Sequence, residues 1–178
     1  MRPSDRAGMR MDGSATVAEA LLPAVEQLRA AGIRVIIQDS CQGYRGLPAA
    51  ALPLLRLAFR SLLDNAREAV AARPNGEVRV AATMAEGLMR IRFCDTGGGI
   101  PRGEFRQIFE PFYTTKPGHL GLGLPLCQAI VSALGGTVFV ASTGENGSEV
   151  VVELPCLCRR PHGRLSGRSR PQGEAARA

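Results

Sequence analysis

The chain has 178 residues, 45% hydrophobic and 21% charged, with a formal net charge of +6 and no tryptophan. That length suits one domain whose core needs no metal or disulfide, and no run approaches the roughly 18 apolar residues of a membrane-spanning helix. The positive charge sits at the ends, with six arginines against Glu174 in residues 156–178 and three against Asp5 and Asp12 in residues 1–12, so the near-neutral body is a poor nucleic-acid surface.

Residues 1–13 are polar and irregular, and are expected to be disordered; positive charge without an apolar run behind it is unlike a secretory leader. From Val17 to Ala31, Val17, Leu21, Val25 and Leu28 recur at helical spacing, with Pro23 perturbing the early turns and Gly32 ending the helix. Ile33–Gln38 reads as a short strand of β-branched residues, and SCQGYRG as a loop. Pro48 opens a second helix running to about Ala72, with Leu55, Ala58, Phe59, Leu62, Ala66, Ala69 and Val70 as its apolar stripe. RPNGE turns the chain. Glu77–Thr83 and Leu88–Cys94 alternate as a hairpin joined through Ala85–Gly87.

Ile100–Leu120 is rich in Pro, Gly and Phe, with helix expected only around Gly103–Ile108. So long a connection inside a compact domain is usually functional. Leu122–Leu134 is an apolar helix stopped by Gly135 and Gly136, and strands Thr137–Ser142 and Glu149–Leu154 follow, joined by a Gly/Asn turn. After Pro155 the composition turns to Arg, Gly, Pro and Ser, and order is expected to end. This order of elements predicts an α+β fold over residues 14–155, a two-layer sandwich with helices on one face of a mixed sheet. The five cysteines are odd in number and form no CxxC pair, which fits a reducing, cytoplasmic compartment. Cys94 and Cys127 fall at apolar positions, and Cys156, Cys158 and His162 make a thin metal donor set.

Three features carry chemistry. Ser61, Asn65 and Glu68 lie on one line beside the apolar stripe of the second helix, facing the mouth of the helix–sheet crevice. Asp95 ends an apolar strand and meets Gly97, Gly98 and Gly99, where a backbone without side chains lets a flat ligand pass close. Gly121-Leu122-Gly123 opens the helix after the long loop, where unpaired N–H groups and the helix dipole favour phosphate.

In this order, LLDNAREA, FCDTGGGIP, IFEPFYTTKP and GHLGLGL resemble the N, G1, F and G2 boxes of the GHKL ATPases. They are most similar to the catalytic, ATP-binding domain of bacterial sensor histidine kinases, and the resemblance runs from about Val17 to Pro155. It implies the Bergerat fold, ATP and Mg²⁺. It implies that Asn65 gives its side-chain oxygen to Mg²⁺, a metal that keeps phosphate oxygens and waters beside few protein ligands. It implies that Asp95 accepts from the adenine amine, which an acceptor-only carboxylate welcomes while repelling the guanine carbonyl. Ser148 matches the hydroxyl residue that helps hold a water between that carboxylate and adenine. Gly97, Gly99 and Ile100 match the loop under the base. Gly121, Leu122, Gly123 and Leu124 match the phosphate-binding helix start. Phe109 and Phe112 resemble the F box, and Lys116 lies in the lid, where a cation meets the terminal phosphates.

The chain departs from the pattern in places. Ser61 stands where many sensor kinases have Asn and hydrolytic relatives a glutamate base, so rapid hydrolysis is disfavoured. Glu68 stands where a basic residue is common, with Arg67 one position off. His119 and Leu120 replace a Gly and a Thr of the lid. Neither His119 nor His162 lies on a helix followed by the acidic residue of the family's phosphoacceptor. The phosphoacceptor is therefore expected in trans or on a missing dimeric hairpin domain, with a response regulator downstream. A non-enzymatic ATP-binding adapter and an anti-sigma-type serine kinase share the fold; FYTTKP and the LP ending favour the histidine kinase. The arginine tail lacks the interleaved aromatics of a single-strand nucleic-acid binder.

Overall fold

A computed structural model of the protein describes residues 14–41 and 46–156. The expectation of disorder at residues 1–13, that for the tail after Pro155 apart from Cys156, and the donor set completed by Cys158 and His162 lie outside the described residues; Cys156 itself is described, its amide donating to the Gly87 carbonyl at 2.8 Å. Among the described residues there are three α-helices and seven strands: β1 (Ser14–Ala15), α1 (Val17–Ala30), β2 (Arg34–Asp39), β3 (Leu47–Pro48), α2 (Leu52–Val70), β4 (Glu77–Ala85), β5 (Leu88–Asp95), α3 (Gly123–Ala133), β6 (Thr137–Gly144) and β7 (Gly147–Pro155).

Helix α1 starts on a reciprocal cap. Thr16 Oγ1 accepts from the Glu19 amide at 3.1 Å, and Glu19 Oε2 accepts from the Thr16 amide at 2.8 Å. This satisfies two donors that a helix start leaves unpaired. Pro23 sits inside α1 without breaking it. Proline has no N–H to give the carbonyl of Glu19 four residues back, and the Arg56 Nε of α2 donates to that carbonyl instead, at 3.2 Å. The expected disturbance is thus absorbed by a neighbouring helix.

Pro48 does not open α2. Its backbone is extended, at φ −62° and ψ 122°, and it pairs with Ser14 in a two-residue antiparallel ladder of β1 and β3. A 3₁₀ turn over Ala49–Ala51 follows, and α2 begins at Leu52. The five-stranded sheet has the order β2-β4-β5-β7-β6. Only β2 and β4 run parallel. The β4–β5 turn is shorter than expected, two residues with Glu86 at φ 52° and Gly87 at φ 79°, the backbone that right-twisted hairpins select.

One face of the sheet is buried under the helices. Val80, Phe93 and Val150 line up across β4, β5 and β7, as do Ala82, Ile91 and Val152, and all six are buried. The α2 residues Leu55, Ala58, Phe59, Leu62, Leu63, Ala66 and Val70 are buried against this layer, and the Phe59 and Phe93 rings meet at 5.5 Å. The other face carries Arg90–Glu153 and Arg92–Glu149 ion pairs, worth little at an exposed site but fit for a face toward water. The α+β sandwich read from the sequence is the fold observed. Among the described residues, no helix is long and apolar enough to cross a membrane.

Candidate functional site

The α2 helix organises the site, because residues one turn apart on it face two different loops. At Ala69 it meets the glycine loop that follows β5. A Cβ on Gly97 would lie 2.6 Å from both the carbonyl oxygen and the Cβ of Ala69. Only glycine allows that approach. Beyond it, the Ile100 amide donates to Thr143 Oγ1 at 2.7 Å, placing Gly99 and Ile100 against the β6–β7 turn. Arg73 Nη2, just past α2, donates to the Glu145 carbonyl at 3.0 Å and ties that turn to the helix. Thr143 and Arg73 were not singled out from the sequence; their partners lie 43 and 72 residues away, and no local pattern marks such pairs.

At the head of this loop, Asp95 Oδ1 accepts from the Gly97 amide at 2.8 Å. Burial pushes the Asp95 carboxyl above its ordinary value, while the Gly97 and Ser148 amides and the Lys116 charge pull against it. Burial wins. A carboxylate short of solvent is poised to accept from a ligand donor. Ser148 stands directly opposite Asp95 in the β5–β7 register and is only 6% exposed, so the two side chains share a face of the sheet.

One turn earlier on α2, Asn65 opens on a cleft of about 480 Å³ whose lining also includes Ser61, Glu68, Lys116 and Gly121–Leu124. The line of Ser61, Asn65 and Glu68 read from the sequence therefore faces one cavity. Ser61 Oγ donates to its own helix at the Leu57 carbonyl, 3.1 Å away, and is not arranged as a base. Arg67 lies 3.5 Å from Glu68 Oε1 and 3.7 Å from Asp64 Oδ1.

Helix α3 enters the same cleft. Its N-cap is Leu122, with no side-chain hydrogen bond to the first turn. Its leading amides are thus left to an incoming acceptor. Gly121, at φ 65°, makes the sharp approach; a Cβ there would collide with the Tyr113 carbonyl. The Phe112 amide donates to the Gly121 carbonyl at 3.1 Å, closing the neck of the lid between them.

Two lid features are added by the structure. Phe109 is buried, at 8% exposure, whereas the Phe112 ring is 75% exposed at φ 69°, so Phe112 anchors the lid by its backbone. Lys116 Nζ donates to Asn65 Oδ1 at 2.7 Å and to Glu68 Oε2 at 2.6 Å, and His119 Nε2 lies 3.9 Å from Glu68 Oε1. The lid rests on α2 through side chains, an anchor the sequence order did not reveal.

In sequence and fold the chain is similar to known proteins. The profile of the family described as histidine kinase-, DNA gyrase B- and HSP90-like ATPase matches residues 50–157. The C4-dicarboxylate transport sensor protein DctB of Rhizobium meliloti (strain 1021) is 38% identical over 94 residues, covering 53% of this chain and 15% of that protein. This chain thus spans a small part of the length of the curated relatives it matches. Among solved structures, the catalytic domain of histidine kinase ThkA superposes with a TM-score of 0.66 at 26% identity, covering 78% of this chain and 88% of that one. Full-length ShkA in complex with AMPPNP gives 0.69 at 26% identity, covering 80% of this chain and 30% of that one.

Proposed function

Since the chain belongs to the histidine kinase-, DNA gyrase B- and HSP90-like ATPase family, we propose that residues 14–155 are the ATP-binding catalytic domain of a cytoplasmic two-component sensor histidine kinase. The observation that carries this reading is the division of labour along α2. Ala69 carries the glycine loop below Asp95, and Asn65, one turn away, opens on the cleft where the uncapped start of α3 ends. A nucleotide laid along that line puts its base at the carboxylate and its phosphates at the amides.

Asp95 accepts from the adenine amine and repels a carbonyl at the same place, with Ser148 beside it to hold a bridging water. The glycines at 97 and 99 and the Ile100 backbone pass beneath the base. The opening amides of α3, at Gly121 to Leu124, take phosphate oxygens. Asn65 fits a magnesium ion, because its neutral oxygen already holds a cation, the Lys116 ammonium. When bound, Mg²⁺ neutralises phosphate charge; Asn65 positions it, and Lys116 adds charge from the lid.

Phosphoryl transfer of this kind rests on positioning and charge rather than on a protein base. Ser61, turned onto the Leu57 carbonyl, gives water no base. An imidazole presented in line by a dimeric helical hairpin is then the acceptor, and a response regulator the next recipient. The test is to mix the chain and ATP with candidate hairpin proteins and look for acid-labile phosphate. Transfer to a hairpin histidine supports the reading; acid-stable phosphoserine formed instead points to the serine kinase.

A further inference from the structure

Lys116 occupies a defined cation position. Its ammonium lies 2.7 Å from Asn65 Oδ1 and 2.6 Å from Glu68 Oε2, so a neutral oxygen and a carboxylate oxygen converge on one point in the cleft. Residues 65 and 68 lie three apart on α2, which puts their side chains side by side. The other Glu68 oxygen faces Arg67 at 3.5 Å and His119 at 3.9 Å, which fixes the carboxylate's orientation. Two hard oxygens on one point, one of them charged, are a divalent-cation donor set.

We infer that Glu68 joins Asn65 as the metal seat of the nucleotide site, and that Lys116 fills this seat until a divalent cation displaces it. The inference rests on the ATP reading above. Mg²⁺ draws oxygen ligands to about 2.1 Å, so each side chain must close in by roughly half an ångström, which a single rotamer adjustment accomplishes. An ammonium cannot stay on the same Asn65 oxygen beside a doubly charged ion, because like charges only a few ångströms apart repel. Lys116 therefore gives up Asn65 as the metal enters, and its charge turns to the terminal phosphates. This departure frees the turn it belongs to, held within itself by the Lys116 amide donating to Thr114 Oγ1 at 3.1 Å and the His119 amide donating to the Lys116 carbonyl at 3.3 Å, from this tie to α2. Metal entry and release of the lid turn are one event.

Three measurements on the full chain test this. Affinity for ATP is titrated without metal and with rising Mg²⁺, Mn²⁺ binding to the ADP-loaded protein is followed by electron paramagnetic resonance, and lid amide exchange is measured without nucleotide. In Glu68→Gln, the gain in ATP affinity that Mg²⁺ confers is expected to shrink, Mn²⁺ affinity to fall at least about tenfold, and lid amides at 114–119 to exchange faster. In Lys116→Met, Mn²⁺ affinity rises, because the competitor is gone. Unchanged Mn²⁺ affinity in Glu68→Gln overturns the inference and leaves Glu68 as the partner of Lys116 alone. Weaker Mn²⁺ binding in Lys116→Met overturns the competition. If the wild type binds no ATP even without metal, it is the ATP reading that fails.

Discussion

Arg56 Nε donates to the backbone carbonyl of Glu19, the acceptor that Pro23 leaves without its helical donor. One contact thus repairs α1 and pins it to α2, the helix that carries the site. Arg56→Ala should lower stability by about 0.5–1.5 kcal/mol, the net worth of an ordinary hydrogen bond. Arg56→Lys should recover only part, because an ammonium lacks the Nε geometry. Urea denaturation of the two variants checks this; equal stability of all three proteins would show that Pro23 needs no compensation.

Gly97→Ala tests the seam between α2 and the glycine loop. The added Cβ meets the Ala69 carbonyl at 2.6 Å, and either the loop or the helix must move. The expected cost is about 1–3 kcal/mol, together with a loss of ATP affinity larger than that for an alanine at Gly103, where a Cβ meets nothing within 4 Å. Calorimetry on the two variants makes the comparison. Similar ATP affinities would mean that the loop does not need its close approach.

Much of this was legible in the sequence because it is local. The α2 stripe, the hairpin, the strand-ending Asp95 and the GLG helix start each follow from periodicity or turn chemistry within a dozen residues. Positions fixed by distant partners were not legible. Pro48 reads as a helix start until Ser14 pairs with it, and Lys116 reads as a lid cation with no protein partner until the chain brings it to Asn65, 51 residues earlier. The Thr16–Glu19 cap is a local signal as well, two side chains three residues apart at the start of α1.

Asn65→Ala should remove most of the gain in ATP affinity that Mg²⁺ confers and leave metal-free ADP binding nearly intact. Paired titrations with and without Mg²⁺ give the ratio directly. The same ratio in wild type and variant would return Asn65 to the role of a helix-surface residue whose only partner is Lys116.

Asp95 sets opposite demands on stability and binding. Its folded-state pKa is raised, so the folded form favours the proton and stability is lost as pH rises through that value. At neutral pH the buried charge is a cost, and Asp95→Asn should raise the thermal midpoint of the nucleotide-free protein. ATP prefers the ionised form. Affinity should therefore begin to fall, as pH drops, above the ordinary carboxylate value of about 3.9. Thermal melts of the variant and ATP titrations across that range check both signs; an unaltered midpoint together with a pH-independent affinity would contradict them.

The proposed function rests most heavily on adenine recognition by Asp95. Isothermal titration of ATP and GTP into wild type and Asp95→Asn tests it most directly. ATP should bind the wild type far more tightly than GTP, and the variant should lose about 1.5–3 kcal/mol toward ATP, the range for a hydrogen bond to a charged group. Equal affinity of wild type and variant for ATP, or equal affinity of the wild type for ATP and GTP, would contradict the account.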